Sequence, residues 1–388
     1  MADFLDYASH RVVLFDGGMG SQIQAEGLTL DDFWGQENCS EILSLSRPDL
    51  IRGIHRNYLL AGADAVETNT FGGSPITLAE FGLQDRAFEI NRRAVELAFE
   101  AIASLPRDGR DRFVVGSIGP GTRLPSLGHI AYRPVEDAIA VQASGLLAGG
   151  VHALLIETCQ DPLQIKAAVN GARRACAESG REVPLMVQVT IETTGTMLVG
   201  TDIMAAATIV GALDVPVLGL NCATGPKEMA EHLRQLSQTW RGLLSVQPNA
   251  GLPELHEGCT HYPLGAEELA LWLERFILED GVSFVGGCCG TNPTHIAAID
   301  AMLRRLAPDG FRPRPKPRAP VWTPAIASLF SAVPLRQENA YLDIGERCNA
   351  NGSKKFREAQ AAEDWDACVA MGREQVREGS NALDVCTA

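Results

Sequence analysis

Residues 282–299 read VSFVGGCCGTNPTHIAAI. A short apolar run ends in a glycine-rich turn, and Thr291 or Asn292 ahead of Pro293 starts a helix at once, because proline suits the first helical position. This strand–turn–helix unit recurs from residue 11 onward. Its strand candidates are RVVLFDGG from 11, ADAVETN from 63, RFVVGSIG from 112, VHALLIET from 151, PLMVQVT from 184, PVLGLNC from 216, LLSVQPNA from 243 and VSFVGGCC from 282. Between them, segments such as PDLIRGIHRNYLLAG and PKEMAEHLRQLSQTW carry helical periodicity. Near-continuous apolar strands alternating with helices indicate a parallel sheet covered by helices. Eight such units predict an α/β fold of the (β/α)8 TIM-barrel type, with an open doubly wound sheet as the alternative.

Beyond the last helix, THIAAIDAMLRRL, the pattern changes. Residues 308–340 begin Pro-rich and are expected to be a linker after a barrel spanning 1–307. In 341–388, YLDIGERCNANGSKKF is a strand then a loop, DWDACVAMGREQVREG a helix and NALDVC another strand. So short a set cannot enclose a core like the first, and it is expected to be the truncated start of a second domain.

Composition narrows the function. The chain has 388 residues, 46% hydrophobic and 21% charged, an ordinary globular balance. A formal charge of -15 argues against nucleic acid, which demands clustered Lys and Arg; the one basic cluster, FRPRPKPRAP at 311–320, alternates with proline and reads as extended chain. No apolar run approaches a membrane span and the start MADFLDYASHR is no secretory signal, so the expected setting is the cytoplasm, with the ten cysteines reduced.

In a (β/α)8 barrel the chemistry gathers at the C-terminal ends of the strands. Those ends supply Asp16, Glu67, Asn69, Glu157, Cys222, Asn249 and the adjacent Cys288 and Cys289. A lone cysteine there is ordinarily packing, since the free thiol behaves as a small hydrophobe. Three at two strand ends, with Gly286, Gly287 and Gly290 bending the chain around the pair, fit tetrahedral zinc with one position left open. A disulfide between neighbours would be strained, and paired knuckles of a structural zinc site are missing. His295, one turn into the following helix, reads as packing or as support behind the ligands.

Three thiolates make the metal a poor Lewis acid for hydrolysis but suit it to activating a substrate thiol, whose free pKa near 8.5 metal coordination lowers. Alkyl transfer to that sulfur follows. Asp16 and Glu157 could serve as the acid and base of glycoside chemistry, but beside such a metal they are read as holding a substrate ammonium. The backbone around Gly17 and Gly18 in DGGMG, and NAG at 249–251, is read either as gripping a carboxylate or as making tight turns only. DGGMG is not a dinucleotide fingerprint.

LFDGGMGSQIQ, GADAVETNTFGG, GLNCATGP, QPNAGLP and VGGCCGTNPTHIAAI together resemble the homocysteine S-methyltransferase family, in order, over about residues 8–305. The resemblance implies a (β/α)8 barrel, zinc on Cys222, Cys288 and Cys289, and homocysteine held through its amino group by Asp16 and Glu157. DIGERCNANGSKKF and NALDVC look like the opening of the folate-binding (pterin-binding) barrel of cobalamin-dependent methionine synthases, with Cys348 departing from the usual GERTN. That resemblance implies pterin contacts at Asn349 and Asp384, 5-methyltetrahydrofolate on the truncated domain, and methylcobalamin on a separate domain that docks over the barrel. The expected reaction is methyl transfer to homocysteine, giving methionine. The alternatives are an S-methylmethionine- or betaine-type donor, or a docking module without turnover.

Overall fold

The computed structural model describes residues 3–256 and 259–387. They fall into two compact units that divide between Trp322 and Thr323. In the first, eight parallel strands form one sheet: β1 Val13–Leu14, β2 Ala65–Glu67, β3 Phe113–Ile118, β4 Ala153–Cys159, β5 Leu185–Val189, β6 Val217–Asn221, β7 Leu243–Gln247 and β8 Phe284–Val285. Neighbours follow chain order from β2 to β8, and β8 pairs with β1. Among the described residues β1 and β2 share no ladder, and the backbone and side chain of Asp64 bridge that seam. Asp64 N–H donates to Leu14 O at 2.7 Å, and Asp64 Oδ2 accepts Leu14 N–H at 3.0 Å. The expected barrel is therefore present, and the open sheet is excluded.

Alternation along each strand sorts the core. Phe15, Phe113, Val115, Leu155, Met186 and Phe284 fill the barrel interior. Leu14, Leu154, Ile156, Leu218 and Val246, out of phase with these, pack in the large cluster that also holds the helix residues. The inner face turns polar toward the C-terminal strand ends: on β4, Ala153 and Leu155 are followed by Glu157, and Ser117, Gln188, Asn221 and Gln247 are likewise buried. A polar, hydrogen-bonded floor is thereby set under the mouth.

The N-terminal end is sealed by a helix at the polar start of the chain, where no helix is expected from the sequence. Asp3 caps Phe4–His10 by accepting Leu5 and Asp6 N–H. Phe4 then meets Phe113, Phe284 and Phe15 at 4.9, 5.5 and 6.5 Å between ring centroids. At seven residues the helix is too short for its periodicity to stand out.

The Pro-rich stretch expected as a linker is extended, but up to Trp322 it belongs to the barrel unit. Proline offers no N–H for a ladder, so the anchors are mainly arginine side chains. Arg312, fully buried, bonds Asp64 Oδ2 at 2.6 Å and Asp300 Oδ1 at 2.8 Å. Arg318 donates to the carbonyls of Ser237 and Trp240 at 3.1 and 2.8 Å and to that of Gly242.

In the second unit, β9 Ile344–Asn349 and β10 Ala382–Cys386 pair in parallel around a small core of Cys348, Ala350, Phe356 and Met371. Two helices, Lys354–Ala361 and Trp365–Arg377, connect them. The first replaces the expected loop at GSKKF, where Ser353 caps Phe356 N–H. This is one crossover unit and does not by itself make a barrel. No helix among the described residues is long and apolar enough to cross a membrane.

Candidate metal centre and substrate cavity

Cys222 stands one residue beyond β6 in the left-handed conformation, φ 60°, and Ala223 follows at 56°. Non-glycine residues take this conformation at a cost, which favours a directed side chain over a plain turn. The twin cysteines follow β8, held by the β7 loop: Cys288 N–H donates to Pro248 O at 2.9 Å, Cys289 N–H to Asn249 Oδ1 at 3.0 Å, and Ala250 N–H to Cys289 O at 2.9 Å. Gly290, φ 77°, is required twice over, since a Cβ there would fall 2.2 Å from Cγ of Tyr262.

Cys222 Sγ lies 3.8 Å from Cys289 Sγ, which is 4.0 Å from Cys288 Sγ. All three sulfurs fall within 4.8 Å of one another, the one such group among the described residues. A tetrahedral metal with bonds of about 2.3 Å requires edges of ~3.8 Å, so the donors fit zinc as they stand. All three are free thiols. Hydrogen bonds from Cys222 and Cys288, with Tyr262 contributing, hold the Cys289 thiol down at about 3.

The sulfurs open onto a cavity of about 620 Å³ that Asp16, Glu41, Glu67 and Glu157 also line, with no Lys, Arg or His among its described residues. Burial pushes Glu157 up to about 7, against hydrogen bonds from Ser117 Oγ to Oε1 at 2.5 Å and from Asn221 Nδ2 to Oε2 at 3.1 Å. Burial also raises Asp16 and Glu67 well above the usual carboxylate range, and the Glu157 charge raises both further. A cluster of acids with no protein cation calls for a positive ligand.

Asp16 and Glu157, expected to bind the ammonium, are thus brought together at the mouth. Of the backbone amides expected at the substrate carboxylate, four already have partners within the protein. Gly18 N–H donates to Thr291 Oγ1 at 3.0 Å, and the Asn249, Ala250 and Gly251 amides go to Thr224 O, Cys289 O and Asn249 O. Gly17 and Gly18 line the cavity and also stand at close approach, since a Cβ on either would come within 2.7 Å of Thr291 Oγ1 or Cys288 O. Asn249 is not among the residues lining the cavity; it positions Cys289. His295 bonds Asn292 Oδ1 at 3.0 Å and Leu264 O at 3.1 Å, securing the start of its helix.

Ser117 and Gln247 carry no expectation from the sequence, and Asn221 is expected there, with Gly225, only to let the chain bend around Cys222, although strand parity marks all three as inward-facing. Glu67 was noted at a strand end without a function. Tyr262 had no signal, coming from a loop beyond the hairpin of Glu254–His256 and Cys259–His261. In the second unit the two residues singled out for pterin do meet, Asn349 Nδ2 donating to Asp384 Oδ2 at 2.7 Å.

The profile of the homocysteine S-methyltransferase family matches residues 13–303. The methionine synthases of Mycobacterium tuberculosis and Mycobacterium leprae are each 50% identical over 384 residues, 99% of this chain and 32% of theirs. The chain thus spans about a third of the length of these relatives. The metallated homocysteine methyltransferase MmuM from Escherichia coli is 25% identical with a TM-score of 0.61, over 75% of this chain and 96% of that one. Its oxidised form, at 24% identity and a TM-score of 0.61 over 77% and 98%, shares the fold.

Proposed function

The chain belongs to the homocysteine S-methyltransferase family, and we propose that its barrel binds zinc and homocysteine and presents the homocysteine sulfur for methylation to methionine. The observation that carries this reading is the set of three sulfurs at near-tetrahedral spacing, opening onto the same cavity as the buried carboxylates. Zinc on Cys222, Cys288 and Cys289 would lower the pKa of a thiol joining it, so that the sulfur is nucleophilic at neutral pH.

The protein's own residues do the rest. Asp16 and Glu157 take the substrate ammonium, whose charge relieves the repulsion between them. Ser117 and Asn221 hold the Glu157 carboxylate in place. Asn249 fixes the Cys289 backbone and so the ligand's direction.

The 50% identity to methionine synthases supports methylcobalamin as the donor, carried by a domain outside these residues, with 5-methyltetrahydrofolate as the source of the methyl group. We read 341–388 as the opening of that folate-binding domain, with Asn349 and Asp384 as its pterin contacts and 308–340 as the connection to it. We place the chemistry in the cytoplasm, where the thiols stay reduced.

The test combines zinc analysis with methionine formation from homocysteine and free methylcobalamin, with S-methylmethionine and betaine in parallel. Stoichiometric zinc and turnover with methylcobalamin alone are expected. Turnover with S-methylmethionine or betaine instead would overturn the donor, and a protein that takes up no zinc would overturn the whole reading.

A further inference from the structure

We propose that Glu67 is the third carboxylate of the amino-group site and sets the preference for an amino thiol over the same thiol without its amine. The inference rests on the reading of the cavity as a homocysteine site. Both oxygens of Asp16 accept Glu67 N–H, at 3.3 and 3.1 Å. Glu157 accepts from Ser117 on Oε1 and from Asn221 and Thr158 on Oε2. Glu67 Oε1 accepts Gln247 Nε2 at 2.7 Å, but among the described residues no hydrogen bond reaches Oε2.

The Glu67 side chain is also held in place. Gln247 Oε1 accepts Gln188 Nε2 at 2.5 Å, and Gln188 Nε2 reaches Ser245 Oγ at 2.7 Å. A buried relay from β5 through β7 thus fixes one oxygen of Glu67, while the carboxylate lines the cavity. A primary ammonium has three N–H donors, and Asp16, Glu67 and Glu157 offer it one carboxylate each. An acid that served only to tie down Gln247 would gain nothing from standing beside two others in a cavity whose described lining holds no Lys, Arg or His.

The test is calorimetric titration of the zinc-loaded full chain with homocysteine and with 4-mercaptobutanoate, its analogue lacking the amine. The wild type should prefer homocysteine. Glu67→Gln should weaken homocysteine roughly 10- to 100-fold, the equivalent of one charge-assisted hydrogen bond, with 4-mercaptobutanoate binding and zinc content unchanged. Glu67→Asp, which keeps the charge, should retain part of the preference. A Glu67→Gln protein with the wild-type preference, or one that loses both ligands equally, would overturn the inference alone. A zinc-loaded wild type that binds neither thiol would overturn the homocysteine reading and this inference with it.

Discussion

The Asp16 carboxylate accepts the Glu67 amide through both oxygens, so a residue assigned to substrate also helps to close the barrel between β1 and β2. Asp16→Asn keeps one acceptor on that amide but loses the charge. It should raise the homocysteine KM about 10- to 100-fold with little change in stability. Asp16→Ala strands the amide as well and should cost about 1–3 kcal/mol in urea denaturation. Equal stability for the two variants would refute the structural half of this assignment.

Asn249 meets the metal site through the Cys289 backbone. Asn249→Ala should lower zinc affinity by roughly 10- to 100-fold, the range seen when partners behind a ligand are removed. Cys289→Ala should abolish stoichiometric zinc. Competition with a chromogenic chelator measures both, and undiminished affinity in Asn249→Ala would show that the loop holds its shape without that bond.

Glu157 makes stability depend on pH. Its folded pKa is raised by burial from 4.5 to about 7, so the folded state holds the proton more tightly than the unfolded chain. The penalty is absent below about 4.5, grows through the window to about 7 and is constant above it, on the order of 3 kcal/mol. Substrate-free Glu157→Gln should therefore be more stable than wild type at pH 8, with the gain shrinking at pH 5, while homocysteine binding is lost. A stability difference that does not change between those pH values would contradict the assignment.

Arg312 fastens the Pro-rich strap to Asp64, the same side chain that bonds Leu14 across the seam. Arg312→Ala leaves a buried carboxylate without its main partner and should cost about 3–5 kcal/mol. Denaturation at pH 7 reads this directly; a loss below 1 kcal/mol would mean that the strap is held by its other contacts.

The barrel was legible because each unit repeats one apolar run, one Gly- or Asn-rich turn and one amphipathic helix, as in VSFVGGCCGTNPTHIAAI. The three cysteines were legible because strand ends converge in such a barrel. What escaped depends on partners distant in sequence. Nothing in NAGLP shows that its amides are already bonded to Thr224, Cys289 and Asn249. Glu67 gains its meaning from Gln247, 180 residues away. The proline-spaced arginines of the strap look solvated until Asp64 and Asp300 are seen beneath Arg312.

The aromatic seal of Phe4, Phe15, Phe113 and Phe284 imposes an order of events. With the N-terminal end of the barrel shut, traffic between the cavity and water uses the mouth at the opposite end. Any large methyl donor must cover that mouth to reach the sulfur. On the proposed reading, the amino acid enters before the donor covers the mouth, and the methylated product leaves after the donor withdraws.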